Sequence, residues 1–269
     1  MVKLTAEQKQ FYKDNGYIKI SNVFTEQEMD VISEEYNRLF HMKNNPGMEA
    51  AWVGDDMKKV AKSQNYSVHS IHNLQYHSSV FSDVLRNDNL LDALEGVMGT
   101  SDILLHHTKA HWKPARNGAP YLMHQDYYYF PFKKDTMVAA FLHVDKSDPE
   151  NGGLCVYPGS HKLGPLKDFG ITNHEGDGQT YHWADPDKYP IEKATPVSAE
   201  RGDVVIFSYL LLHGSYSNLS ERSRRMFLIQ LMAADDEPLD DIHKSLGQGW
   251  VLRGRNDYRK AVMAERFLH

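Results

Sequence analysis

The chain is poor in several things, and each absence excludes something. Its 269 residues hold one cysteine, Cys155, so no intramolecular disulfide can form, and a closed structural zinc site, which usually draws on cysteine, has little to work with. Basic residues are in deficit, 30 Lys and Arg against 36 Asp and Glu for a net charge of −6. That balance argues against a nucleic-acid partner, whose phosphates call for a basic face. No apolar run approaches the ~20 residues of a membrane span, and repeats, low-complexity tracts and an interdomain linker are all missing. The opening Met-Val-Lys-Leu-Thr lacks the apolar core of a secretory signal, and the closing Arg266-Phe267-Leu268-His269 is not a Ser-Lys-Leu address. The expectation is a cytoplasmic globular protein of one domain, 1–269, that meets neither nucleic acid nor membrane. No oligomeric partner can be assigned.

What is present divides the chain into three parts. Residues 1–100 read as helical. Thr5-Ala6-Glu7-Gln8 and Thr25-Glu26-Gln27-Glu28 are capping boxes, in which a hydroxyl and the residue three positions on satisfy helix-end N–H groups reciprocally. The first helix should stop at Gly16 and lead into a short strand, Tyr17 to Ile20; the second carries Met29, Ile32, Tyr36, Leu39 and Phe40 as one apolar stripe. The pattern lapses from 41 to 67, where a surface loop or flap is expected, and a helical pair fits Ser79 to Gly99. From 101 to 235 short β-branched and aromatic segments are bounded by Gly, Pro, Asn and Asp, the signature of an antiparallel sandwich or barrel. Candidate strands are Ile103 to Lys113, Met137 to Val144, Leu154 to Tyr157, Asp203 to Phe207, Leu210 to Ser215 and Arg225 to Met232. Residues 158–200 read as an excursion over one mouth, with His161, His174 and His182 facing solvent, and 236–269 as a C-terminal tail.

Within the β region, His124 and Asp126 are two apart. On an extended backbone they point to one side and can grip one ion together, with His213 closing the face. Two imidazoles and a carboxylate on one face of an octahedral ion leave three positions open, the arrangement that suits non-haem Fe(II) oxygenases. The spacing by itself is weak, because the chain holds a second such pair, His143-Val144-Asp145. That pair closes a long strand leading into a turn and is expected to pack or hydrogen-bond locally. Cys155, inside a strand, is expected in the core.

Ordered blocks along the chain are more specific. Phe11 to Tyr17, Phe24 to Glu28, His124-Gln-Asp-Tyr-Tyr-Tyr-Phe-Pro-Phe132, Asn151-Gly-Gly-Leu154, Pro158-Gly-Ser-His161, Gly202-Asp-Val204 and Leu211-Leu-His-Gly-Ser215 together resemble the phytanoyl-CoA dioxygenase family of Fe(II)- and 2-oxoglutarate-dependent oxygenases. The resemblance implies a mainly β, α+β fold: a double-stranded β-helix (jelly roll, cupin-like) with the N-terminal helices packed outside. It implies Fe(II) held by His124, Asp126 and His213, with 2-oxoglutarate as cosubstrate and O2 as oxidant. Arg224, eleven residues beyond His213, stands where the family places its arginine, and its fork of donors suits the far carboxylate of 2-oxoglutarate. Ser215 can add one bond, and Lys113 matches a family position near the cosubstrate. His161 matches a position taken as structural.

A hydroxylase acting on an aliphatic C–H of a small organic substrate, with release of succinate and CO2, is therefore the expected activity. Asp126 fills the place that related halogenases leave small for chloride. Tyr127, Tyr129 and Phe141 are candidate substrate contacts, and Tyr128, Phe130 and Phe132 could line the same pocket, although such aromatics also build barrel cores. Alternatives are an acyl-CoA 2-hydroxylase of the phytanoyl-CoA type, to whose phosphates Lys133-Lys134 could attach, an oxygenase performing desaturation or epimerisation, and, more remotely, a non-catalytic β-sandwich that binds a metal.

Overall fold

The computed structural model describes residues 2–42, 49–52, 68–172, 180–240 and 244–258. Both capping boxes form. Thr5 opens helix α1 (Ala6–Asn15), which Gly16 ends in the left-handed conformation, and Thr25 opens helix α2 (Glu26–His41). The stripe of α2 is buried as its spacing requires. Strand β1 (Tyr17–Ile20) separates the two helices, and α3 (Ser79–Leu85) and α4 (Asp88–Met98) form the later pair. No helix among the described residues is long and apolar enough to cross a membrane.

The expected mainly β fold is found: a jelly roll of two antiparallel sheets. The larger uses β1, β2 (Glu49–Trp52), β3 (Val68–His72), β4 (Ile103–Lys113), β6 (Val138–His143), β11 (Val204–Ser208) and β13 (Arg224–Ala233), in the order β1-β11-β6-β13-β4-β3-β2, with β14 (Val251–Arg253) also on β4. The smaller runs β10 (Thr195–Pro196), β7 (Leu154–Val156), β12 (His213–Ser215), β5 (Tyr121–His124). A ribbon of β8 (Ile171–Thr172) and β9 (Thr180–Tyr181) lies apart.

Strand alternation sorts the side chains of the large sheet. Ile103, Leu105, Ala110, Val138, Ala140, Leu142, Phe227, Ile229 and Leu231 pack with the helices as an outer core. Ala139, Phe141, Val205, Phe207, Met226 and Leu228 face the other way, against Leu154 and Val156 of the small sheet. Intervening positions on the inner face are polar or charged, and they build the site. Helix α2 is pinned to this frame where β4 meets β13: the buried Tyr36 hydroxyl donates to the carbonyls of His111 (2.7 Å) and Met226 (3.2 Å).

Four expectations need correction. Within 41–67, read as loop, His41 closes α2 and residues 49–52 form a strand on β3, itself missed; residues 43–48 and 53–67, and His174, lie outside the described residues. The tail is not plain, since β14 extends the large sheet through Leu104 and Ile103. The strand from Leu210 shortens to three residues, because Tyr209 to Leu212 turn into β12. His182 does not face solvent: it stacks on Tyr128, meets Tyr129 edge-on at 4.6 Å and pairs with Asp168 at 2.7 Å, so the described residues on either side of 173–179 fold back over the mouth. His161 is half-buried against the end of α1, its Nε2 3.1 Å from the Lys13 carbonyl.

Candidate active site

The site begins with a strand pairing. His213 of β12 lies opposite His124 of β5, and the register then slips, so that Ser215 faces Tyr121. The slip is a bulge in which Leu122 and Met123 oppose the single Gly214. A Cβ on Gly214 would lie 2.7 Å from the Tyr121 carbonyl oxygen, so only glycine admits this approach. The bulge lets Tyr121 and His124 both face inward, and the two imidazoles stand 4.3 Å apart by ring centroids.

Asp126 arrives differently from expectation. It is not on an extended strand but opens a 3-10 turn, Asp126–Tyr128, immediately after β5. The turn brings Asp126 Oδ1 to 3.6 Å from Nε2 of both His124 and His213. Among the described residues these three form the one group of His, Cys, Asp or Glu whose ligating atoms converge, all within 4.8 Å.

The hydrogen bonds state which atoms are free. His124 Nδ1 lies 2.7 Å from the Leu122 carbonyl and His213 Nδ1 2.9 Å from the Leu211 carbonyl. A carbonyl only accepts, so each Nδ1 carries the proton and each Nε2 turns a lone pair into the shared space. Gln230 Nε2, from the inner face of β13, donates to Asp126 Oδ2 at 2.6 Å and leaves Oδ1 toward the imidazoles. Burial pushes the two histidines down to about 4 and Asp126 up to about 6, with His124 opposing the shift of the carboxyl. Neutral imidazoles and a carboxylate are the forms that ligate a metal. Metal bonds of ~2.1 Å place cis donors roughly 3 Å apart, so the two pairs at 3.6 Å need to close by a fraction of an ångström, and the widest separation, within 4.8 Å, by more.

A second polar cluster lies further along the same inner face. Arg224, the first residue of β13, pairs in register with Lys113, the last of β4. It is fully buried, yet Nε and both terminal nitrogens of its guanidinium have no hydrogen-bond partner. Burial draws its pKa down to about 10. Its neighbours are spent: Arg222 pairs with Asp148 (2.9 Å) and Glu150 (3.4 Å), and Arg225 with Asp145 (2.6 Å). Lys113 is equally buried, its ammonium donating to Ser215 Oγ (2.7 Å) and to the carbonyls of Tyr216 (2.7 Å) and Gly152 (3.4 Å). Desolvation first, then the adjacent Arg224 charge, hold the Lys113 pKa well below the ordinary lysine value. Because Ser215 Oγ accepts from Lys113, its own hydrogen is free to donate elsewhere.

The aromatic candidates separate. Tyr129 lies edge-on to His124 at 6.2 Å, and its hydroxyl accepts from the His182 backbone N–H at 3.2 Å. Tyr127 is half-buried against Tyr209, 5.7 Å between rings. Phe141 sits instead in the layer between the sheets, 4.9 Å from Phe207, which in turn lies 4.6 Å from His213. Its strand turns it inward beneath the small sheet, where it packs behind Phe207. Phe130 and Phe132 are core, gathered with Leu104, Tyr209 and Met232 at one end of the roll, and Cys155 is buried beside Met123.

Sequence reasoning missed Gln230, Gln125 and Ser160. Gln230 was visible as the one polar residue in Phe-Leu-Ile-Gln-Leu-Met. Gln125 holds the overlying excursion in place, its amide donating to the carbonyls of Leu210 (2.6 Å) and Gly164 (3.0 Å) while its oxygen accepts from Leu166 N–H (2.8 Å). Ser160 Oγ accepts from Leu212 N–H at 2.8 Å, which fixes the residue before His213.

With this geometry in view, the relatives are informative. Residues 12–226 match the family of phytanoyl-CoA dioxygenase (PhyH). The chain belongs to the phytanoyl-CoA dioxygenase family. It is 30% identical over 233 residues to a peroxisomal phytanoyl-CoA dioxygenase of Rattus norvegicus, covering 82% of this chain and 66% of the relative. It is 29% identical to a probable alpha-ketoglutarate-dependent hypophosphite dioxygenase of Stutzerimonas stutzeri, covering 87% and 80%. In fold it is similar to the epimerase SnoN solved with Fe3+ and alpha-ketoglutarate (TM-score 0.70, 17% identity, 93% and 96% covered). It is also similar to EctD from S. alaskensis solved with 2-oxoglutarate and 5-hydroxyectoine (TM-score 0.68, 17% identity, 96% and 86% covered). By kind the protein is an oxidoreductase, a 2-oxoglutarate-dependent dioxygenase with Fe(II), 2-oxoglutarate and O2 as its cofactor set.

Proposed function

We propose that the protein hydroxylates an aliphatic C–H of a small, free organic molecule, splitting 2-oxoglutarate to succinate and CO2. The observation that carries this reading is the buried guanidinium of Arg224, unpartnered on all three nitrogens, on the same inner face as the convergent triad. An unpaired buried charge is costly, so a carboxylate-bearing ligand that belongs in this pocket explains why the fold keeps it.

Bound Fe(II), with 2-oxoglutarate and O2, supplies the oxidant for a C–H bond, one oxygen atom entering product and the other succinate. His124, Asp126 and His213 would hold the metal, a donor set that suits Fe(II). The Leu122 and Leu211 carbonyls fix the imidazole tautomers, and Gln230 aims Asp126. Arg224 takes the far carboxylate of 2-oxoglutarate bidentately, and the Ser215 hydroxyl adds a donor. Lys113 has all three N–H bonds engaged, so it orients Ser215 and contributes charge. Tyr129, edge-on to His124, flanks the metal side and helps keep water from it.

A free molecule is favoured over an acyl-CoA because Lys133 and Lys134, the phosphate contacts suggested by the sequence, are ion-paired with Glu237 and Asp235. Succinate formation and oxygen uptake across free acids, amines, terpenoid-like compounds and phytanoyl-CoA test the reading. Substrate-stimulated turnover with a free molecule is expected, whereas efficient turnover of the CoA ester alone contradicts it.

A further inference from the structure

One charged side chain near the metal site has no role in the reaction as described. Lys109 lies on β4, whose alternate residues Ala110 and Trp112 pack into the outer core. Lys109 therefore points inward, on the face that carries His111 and Lys113. Its strand partners are Leu228 on β13 and His72 on β3. Leu228 is two residues from Gln230, which holds Asp126, so Lys109 stands on the metal side of the face and Lys113 at the Arg224 end.

The residue is half-buried, and among the described residues its ammonium has neither a hydrogen-bond partner nor an ion pair. Asp126 is close enough for each charge to influence the other, yet no direct pair forms. Burial, only partly offset by Asp126, lowers the Lys109 pKa to about 8, so the group is still largely cationic near neutral pH. A long side chain could have carried this charge out to water. Turned inward with its donors unpaired, it faces the Asp126 end of the inner face and not the cosubstrate end, where Arg224, Ser215 and Lys113 already meet the needs of a dicarboxylate.

We infer that Lys109 is the specificity-determining contact for an anionic group on the substrate, so that the substrate is a small carboxylate or a phosphorus oxyanion whose reacting C–H is held over the metal by that anchor. The inference rests on the oxygenase reading above and adds the charge class of the substrate. A single ammonium matches one compact anionic group. A cationic substrate would meet repulsion from the same charge, and a neutral one would leave it unpaired in a drying pocket.

The test is calorimetric titration of protein loaded with Zn(II) and 2-oxoglutarate, which cannot turn over, using butanoate and methylphosphonate against butanamide. Wild type should bind at least one anion about tenfold or more tightly than the amide, as one charge-assisted hydrogen bond provides. Lys109→Met, which keeps the length and apolar stem, should erase that ratio, and Lys109→Arg should retain most of it. The ratio is internal to each variant, so a modest loss of folded protein does not mimic the effect. Equal or undetectable binding of acids and amide by wild type, or an undiminished ratio in Lys109→Met, overturns the assignment. Binding of Zn(II) and 2-oxoglutarate to wild type is measured first. Failure there removes the oxygenase reading and the inference with it, whereas normal loading without acid preference removes the inference alone.

Discussion

The chain carries two His-x-Asp pairs only nineteen residues apart (124 to 143), and the fold treats their carboxylates in opposite ways. His124 and Asp126 straddle the end of β5, where the backbone leaves the strand for a 3-10 turn. Each then has one atom satisfied by the protein and one left over: Nδ1 by the Leu122 carbonyl, Oδ2 by Gln230. His143 and Asp145 straddle the end of β6, and there the carboxylate is fully used. Asp145 accepts from the Arg225 backbone N–H (2.9 Å), Nε (2.9 Å) and a terminal nitrogen (2.6 Å), while Arg225 also reaches Asn37 Oδ1 on α2 (2.8 Å). His143 is buried, held neutral by desolvation and then by Arg224, and pushed down to about 4. His143 Nε2 is itself left without a hydrogen bond, so the carboxylate is what separates the pairs: Asp126 keeps an oxygen beside two imidazoles, and Asp145 spends both of its oxygens on Arg225.

The strongest way to break this contrast is to remove an imidazole from each pair. His124→Ala or His213→Ala should lower Fe(II) affinity and 2-oxoglutarate consumption by more than about a hundredfold, beyond the 10- to 100-fold usual for loss of a supporting partner. His143→Ala should leave metal binding near that of wild type. Arg224→Ala comes next: its loss should raise the KM for 2-oxoglutarate by roughly 10- to 100-fold, as one or two charge-assisted hydrogen bonds imply, with Fe(II) affinity kept. Normal cosubstrate dependence in that variant would transfer the role to Arg222 or Arg225. Gln230→Leu sharpens the idea of a supported carboxylate. Fe(II) affinity, read by competition with a chelator, should fall about tenfold or more while Arg224-dependent cosubstrate binding persists. On the other pair, Asp145→Asn should cost about 1–3 kcal/mol of stability in denaturant unfolding without altering iron binding. Ser215→Ala should have the smallest effect, a few-fold rise in the KM for 2-oxoglutarate.

Much of this was legible in the sequence because its signals are local. Thr5-to-Gln8 and Thr25-to-Glu28 fix helix starts within four residues, and the stripe from Met29 to Phe40 follows from 3.6-residue periodicity alone. The ordered blocks from Phe11 to Ser215 carried the fold and the triad. What the sequence hid depends on contacts between distant segments. The bulge at Gly214 and the turn at Asp126 set how the ligands face, and no local pattern announces either. Gln230 reaches Asp126 from 104 residues away, and the partners that occupy Arg222 and Arg225 but spare Arg224 come from the loop at Asp145 to Glu150. Phe141 shows the same limit in reverse: an aromatic on an inner strand face has the right composition for a pocket, yet the small sheet covers it.

The most direct measurement is anaerobic titration of Fe(II) and then 2-oxoglutarate into wild type, His213→Ala and His143→Ala, following the visible charge-transfer absorption that bidentate 2-oxoglutarate develops on ferrous iron. The band should grow to one equivalent in wild type and in His143→Ala and be absent in His213→Ala. A band that survives in His213→Ala and vanishes in His143→Ala would contradict the assignment of the metal centre.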